Sequence, residues 1–147
     1  MNTADPYDLR RFVTAQDAGA TYDHAVAELR GGRKISHWMW FVFPQIAGLG
    51  YSPTSRTYAI TSLDEARAYL SHPVLGPRLT ECAATLTGLA GRTAEQIFGE
   101  VDAMKLQSSM TLFMHAAPGE PVFRQVLDQY FGGIPDSATE RRVYHLS

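Results

Sequence analysis

At 147 residues the chain is long enough for one compact domain that buries about two-thirds of its unfolded surface, so no disulfide or structural metal is required. A hydrophobic content of 45% with 19% charged residues excludes intrinsic disorder. Thirteen lysines and arginines against fifteen aspartates and glutamates leave a formal charge of -2, with no basic excess to neutralise a polymer of phosphates, which excludes nucleic acid as a bulk partner.

Asp5-Pro6 has the form of an N-cap followed by proline at the first helical position, and Leu9, Phe12, Val13 and Gln16 then recur at helical spacing. Asp17 to Ala20 interrupts this helix. Tyr22, Ala25, Val26 and Leu29 form the next apolar stripe, which ends at Gly31-Gly32. Ser36 is a plausible N-cap for the segment Trp38 to Phe43, whose apolar residues point all around a helix and would equally suit a buried strand; a short buried helix is the preferred reading. Pro44 disfavours helical geometry at Phe43 and releases the chain into a loop from Gln45 to Pro53.

Ser62 and Glu65 satisfy a capping-box pattern, followed by Ala66, Tyr69 and Leu70. After the His72-Pro73 break, Leu75, Leu79, Cys82, Leu86 and Leu89 predict the longest amphipathic helix, ending near Gly88 to Gly91. Thr93 to Gln96 repeats the capping pattern before Ile97-Phe98-Gly99, and another helix is expected from about Val101 to His115. Pro121 opens a helix carrying Val122, Val126, Leu127 and Tyr130 that stops at Gly132-Gly133, and Asp136 caps a last one through Val143. No strand pattern of useful length competes. The predicted fold is all-α: one compact multihelical domain over residues 1–147, with about seven or eight short helices.

The single cysteine, Cys82, forms no internal disulfide and offers no thiolate set for zinc or an iron-sulfur cluster. The start of the chain lacks a signal-peptide pattern, and no apolar run approaches the roughly 18 residues of a membrane span. A cytoplasmic protein with no membrane association, no metal and no cofactor is expected.

The most improbable segment runs from Gly31 to Gln45 and holds both tryptophans, two phenylalanines and His37, pressed against Arg33 and Lys34. Rings of this size bury about 150 to 250 Å² each, so they form either the centre of the core or the wall of a pocket. His37 reads either as a proton shuttle or stacking group, or as a simple donor to a backbone carbonyl. Arg33 and Lys34 can hold a phosphate or carboxylate, or can merely complement a helix C-terminus. Trp38 and Trp40 serve as core or as ligand platform. Gln45, beyond Pro44, has no obvious structural reason to follow so apolar a run and is placed to read an amide or a sugar hydroxyl.

A second constellation lies on the helix after Glu100, where Asp102, Lys105 and Ser109 fall within an arc of about 60°. Asp102 and Lys105 read either as a surface pair worth a few tenths of a kcal/mol or as site groups. In the second case Lys105 is a desolvated amine or anion anchor, Asp102 an acid/base and Ser109 their hydrogen-bond partner. Met104, Met110 and Met114 look like core filler. The sequence contains no G-x-S-x-G, H-E-x-x-H, P-loop or G-x-G-x-x-G pattern.

Gly32-Arg33-Lys34, His37 to Gln45, Leu75-Gly76-Pro77-Arg78-Leu79 and Asp102 to Phe113 together resemble the bacterial domain-of-unknown-function family catalogued as 1810, over nearly the whole chain. The resemblance implies an all-helical domain and no established activity. Some members bear the label calpastatin, which denotes a disordered inhibitor, whereas this composition describes a compact fold. A looser similarity, through Asp102, Lys105 and Met110, is to the NADAR family of ADP-ribose-processing glycosidases.

Two functions follow as expectations. The first is a small-ligand protein that binds or hydrolyses a nucleotide or ADP-ribose-like compound, as an N-glycosidase or hydrolase, with Lys105, Asp102 and His37 doing the chemistry. Arg33, Lys34, Trp38, Trp40, Gln45 and Ser109 would hold the ligand. The second is a noncatalytic interaction module that docks an unknown protein partner through the aromatic block. A concave cavity joining His37, Trp40 and Lys105 favours the first, and a flat exposed apolar patch around Trp38 favours the second.

Overall fold

In the computed structural model, residues 5–146 are described, with side chains to Tyr144. The helices are α1 (Arg10–Asp17), α2 (Thr21–Arg30), α3 (Met39–Val42), α4 (Pro53–Thr57), α5 (Leu63–Ser71), α6 (Leu75–Thr87), α7 (Ala94–Phe98), α8 (Glu100–Ala116), α9 (Pro121–Phe131) and α10 (Ser137–Leu146), with a 3-10 turn at Ala18–Ala20 between the first two. The fold is all-α. Among the described residues the only extended pairing is an isolated parallel bridge between Ile46 and Ile60.

Local chemistry accounts for most helix ends. Thr93 and Gln96 form a complete capping box at α7: the Gln96 amide donates to the Thr93 hydroxyl at 3.1 Å and the Thr93 amide to the Gln96 side chain at 2.8 Å. At α5 only half of the box forms. The Glu65 amide donates to Ser62 Oγ, but the Glu65 carboxylate accepts instead from the amide and hydroxyl of Thr61 and pairs with Arg11 at 2.9 Å, tying α1 to α5. Asp136 caps α10 by accepting from the Thr139 amide at 2.9 Å, and Gly132, at φ 61°, closes α9.

Three expectations are corrected. Asp5 does accept from the amides of Leu9 and Arg10, but the helix starts only at Arg10, because Asp8 takes a positive φ of 52° and breaks the turn between them. Ser36 does not cap α3: its hydroxyl donates to Glu28, and Trp38 occupies the cap position. Helix α6, with 13 residues, is the longest amphipathic helix as expected; α8 is longer, with 17, but is enclosed on most of its faces. Met104 faces outward, 67% exposed, whereas Met110 is fully buried. The unread helix is α4, whose cap, Ser52 accepting from the Ser55 amide, sits in a stretch that composition marks as loop.

Helix α8 is the axis of the molecule, packed by α5, α7, α9 and α10, while α6 bridges α5 and α9. Its second half is buried almost all round, from Ser108 to Phe113, as befits a helix enclosed by neighbours. Ring contacts run through the core from Phe12 to Tyr69 at 5.1 Å, on to Phe113 at 5.4 Å and to Phe123 at 5.8 Å. A second aromatic group, Trp38, Phe43 and Phe98, packs the loop after α2 against α7, with centroids 6.2 to 6.4 Å apart. These two packings set α3 and the start of α8 side by side.

Candidate ligand site

The site begins with a carboxylate that sequence reading passed over. Glu28, in the last turn of α2, accepts from the Ile35 amide at 2.7 Å, the Ser36 amide at 2.9 Å, the Trp38 indole N–H at 2.9 Å and the Ser36 hydroxyl. Burial pushes its pKa up, but the Ser36 hydroxyl and the other donors outweigh it and hold the group down to about 2. The loop between α2 and α3 is thereby wrapped around one anion. Gly32 allows the turn, with φ of 74°, and the Lys34 amide is then anchored to the Ile97 carbonyl at 2.7 Å.

This wrapping sends the Lys34 side chain toward α8. Its ammonium donates to the Ser36 carbonyl at 2.7 Å and lies 2.9 Å from Asp102 Oδ2. Lys105, one turn further along α8, lies 3.0 Å from Asp102 Oδ1. Two ammonium groups therefore share one carboxylate. Burial raises the Asp102 pKa, yet the hydrogen bonds and charges of Lys34 and Lys105 prevail and hold it below its ordinary value, so Asp102 stands as an anion. Each lysine also faces an indole: Lys34 Nζ is 5.2 Å from the Trp38 ring centre and Lys105 Nζ 4.2 Å from that of Trp40.

The surface above them is concave. A cavity of about 270 Å³ is lined by Lys34, His37, Trp38, Trp40, Asp102 and Lys105, with Met39, Phe41 and Thr54 completing its wall. Its lining holds two lysine side chains and one carboxylate, so basic groups outnumber acidic ones by one; Glu28 is saturated by its four donors and is not part of the lining. A surplus ammonium in a half-buried, aromatic-walled cavity is less screened than it would be in open water.

Six of the nine residues read from the sequence thus meet at one cavity, although they come from two distant segments. Arg33 is exposed and Ser109 fully buried, and neither is in the lining; Ser109 Oγ has no hydrogen-bond partner. Gln45 lies on adjoining cavities. The two tryptophans divide their roles. Trp38 is 1% exposed, wedged against Phe43 and Phe98 and tethered to Glu28. Trp40 is half-buried and faces Lys105, whose ammonium lies 4.2 Å from its ring centre. Sequence reading missed Glu28 and Thr54. The one clue to Glu28 was an acid in the last turn of a helix, where the macrodipole disfavours it.

Among the described residues no group of three or more histidine, cysteine or acidic side chains could hold a metal ion, and no helix is long and apolar enough to cross a membrane. No curated protein matches the chain. The conserved hypothetical protein Rv1873 from Mycobacterium tuberculosis, a crystal structure, is 51% identical over 95% of this chain and 99% of that one, with a TM-score of 0.92. Neither that match nor the family match lends support to the looser NADAR likeness. With residues 6–143 matched by the family described as Protein of unknown function (DUF1810), the chain belongs to that family.

Proposed function

We propose that the protein is a cytoplasmic small-ligand protein that takes an anionic, ring-bearing compound of the nucleotide or ADP-ribose type into the cavity between α3 and α8. The observation that carries this reading is the sharing of Asp102 by Lys34 and Lys105 at 2.9 and 3.0 Å, which leaves a cation unneutralised beside an available indole. Lys34 and Lys105 hold the anion, Trp40 contacts the ring, and Asp102 keeps both ammonium groups aimed at the cavity. Binding a phosphate there exchanges a shared counter-ion for a charge-assisted contact to each lysine. The docking alternative has less support, since Trp38 is 1% exposed and offers no flat apolar patch.

Hydrolysis is the finer form of the same reading. Asp102, held as a carboxylate, suits stabilisation of positive charge developing on a sugar carbon, and His37, exposed at the cavity wall, is placed to transfer a proton. The test is a thermal-shift series with inorganic phosphate, mononucleotides and ADP-ribose, followed by mass spectrometry of each hit for turnover. Lys105→Ala should abolish the ligand-induced shift while leaving the circular dichroism spectrum intact. A variant that responds to the same compounds as the wild type does would sink the proposal.

A further inference from the structure

The chain carries eleven arginines but only two lysines, Lys34 and Lys105, and both ammonium groups meet on Asp102 at the cavity between α3 and α8. Among the described residues the other pairings of a lysine or arginine with a carboxylate all use arginine: Arg11 with Glu65, Arg67 with Asp64, Arg78 with Asp17 and Arg124 with Asp128. Arginine is also the better holder of a phosphate or carboxylate, since its planar fork engages two oxygens at once. What lysine has and arginine lacks is a nitrogen that can give up a proton and attack a carbonyl carbon. A cavity that takes both lysines of an arginine-rich chain therefore points to a need for an amine, beyond the need for charge.

The two lysines are not equivalent. Lys34 Nζ is engaged by the Ser36 carbonyl at 2.7 Å and by Asp102 Oδ2 at 2.9 Å, and its side chain is 8% exposed. Lys105 Nζ has Asp102 Oδ1, 3.0 Å away, as its one oxygen partner among the described residues, and its side chain is 21% exposed. Lys105 is thus the more accessible amine, with a carboxylate in contact to take its proton, and Lys34 is the more firmly held cation.

We propose that Lys105 is a nucleophile that condenses with the carbonyl of a phosphorylated aldehyde, while Lys34 holds the phosphate. This rests on the ligand-site reading above and names the reacting group of its ligand. The Lys105 ammonium passes a proton to Asp102, and the freed electron pair on nitrogen attacks the carbonyl carbon. As the C–N bond forms, the carbon–oxygen π pair moves to oxygen, which takes the proton from Asp102 and becomes a hydroxyl. Asp102 then carries a second proton from nitrogen to that hydroxyl, the C–O bond breaks, and water leaves as the C=N bond closes. Aldehyde and ammonium become an iminium and one water with no net change of charge, so the attraction of Asp102 for the Lys105 nitrogen persists throughout.

Reductive trapping tests this. The protein is incubated with glyceraldehyde 3-phosphate or with glyceraldehyde in the presence of cyanoborohydride, and the labelled positions are mapped by peptide mass spectrometry. In the folded protein Lys105 should be labelled by the phosphorylated aldehyde about tenfold or more faster than Lys34, as expected of a reactant held beside its nucleophile. Glyceraldehyde should label it more slowly. Inorganic phosphate should slow the labelling of Lys105 and leave that of the α-amino group unaffected, and in urea sufficient to unfold the protein the two lysines should label alike. Lys105→Arg keeps a cation but has no attacking amine, so its α8 peptide should carry no adduct; the arms with the wild type decide the matter if this variant fails to fold. Labelling of Lys34 as fast as Lys105 in the folded protein, no preference for the phosphorylated aldehyde, or indifference to inorganic phosphate would each overturn the assignment, as would persistence of the Lys105 preference in urea or an α8 adduct in Lys105→Arg. If inorganic phosphate still raises the melting temperature of the wild type in those cases, only this inference falls; if neither phosphate nor any compound of the nucleotide series does, the ligand site falls with it.

Discussion

At the scale of single residues, Glu28 shows how one side chain can shape a site without touching it. Its four donors come from Ile35, Ser36 and Trp38, so the direction taken by Lys34 depends on a carboxylate behind the cavity wall. Glu28→Gln keeps the shape but removes the charge and half of the acceptor capacity. It should lower stability at pH 7 by about 2 kcal/mol in urea unfolding, the loss expected for several charge-assisted hydrogen bonds weakened together. The folded-state pKa of about 2 lies below the ordinary 4.5. The stabilisation is therefore complete above that ordinary value and disappears as the pH falls from about 4.5 to about 2. In that window the urea midpoint of the wild type should drop more than that of Glu28→Gln. Equal slopes would show that the carboxylate is not held by these donors.

At the scale of elements, close approach decides what propensity alone would misjudge. Gly76 lies in the first turn of α6, where alanine would ordinarily favour the helix by up to about 1 kcal/mol. A Cβ there would stand 2.0 Å from the Leu70 carbonyl oxygen of α5, so α5 and α6 would have to separate. Gly76→Ala should destabilise the fold by about 3 kcal/mol, at the upper end for overpacking, and a neutral or raised melting temperature would contradict the packing. Helix boundaries were legible because their causes are local: the capping box of Thr93 and Gln96, the Asp136 cap and the glycine stop after α9 each involve residues only a few positions apart. The short helices α1 and α3 were read, but the start of α1, the cap of α3 and the whole of α4 were not, because a positive φ at Asp8, a competing bond from Ser36 to Glu28 and a single turn inside a loop defeat a pattern judged by spacing.

At the scale of the whole molecule, α10 and its cap wall a second chamber, of about 300 Å³, that Trp40 and Lys105 share with Gln45. Asp136 and Ala138 face this chamber, Glu140 pairs with His115 of α8, and the Arg142 guanidinium packs so tightly on Gly48 that a Cβ there would fall 2.3 Å from its Nη1. Glu140→Gln should speed amide hydrogen exchange across α10 about fivefold, corresponding to about 1 kcal/mol for a partly exposed pair, while leaving α6 and α9 protected as before. Exchange unchanged in α10 would show that the pair is not what holds the helix down. Composition and apolar spacing by themselves determined that this chain is all-α and where most of its helices break, because those features are written in residues three or four apart. They also marked the two polar-aromatic segments as unusual. Which tryptophan is core and which is wall, and that Lys34 crosses to Asp102 while Arg33 and Ser109 stay apart from the cavity, only the tertiary structure decided. Periodicity says which face of a helix is buried and nothing about what it is buried against, and the charge surplus of this site exists only where two distant segments meet.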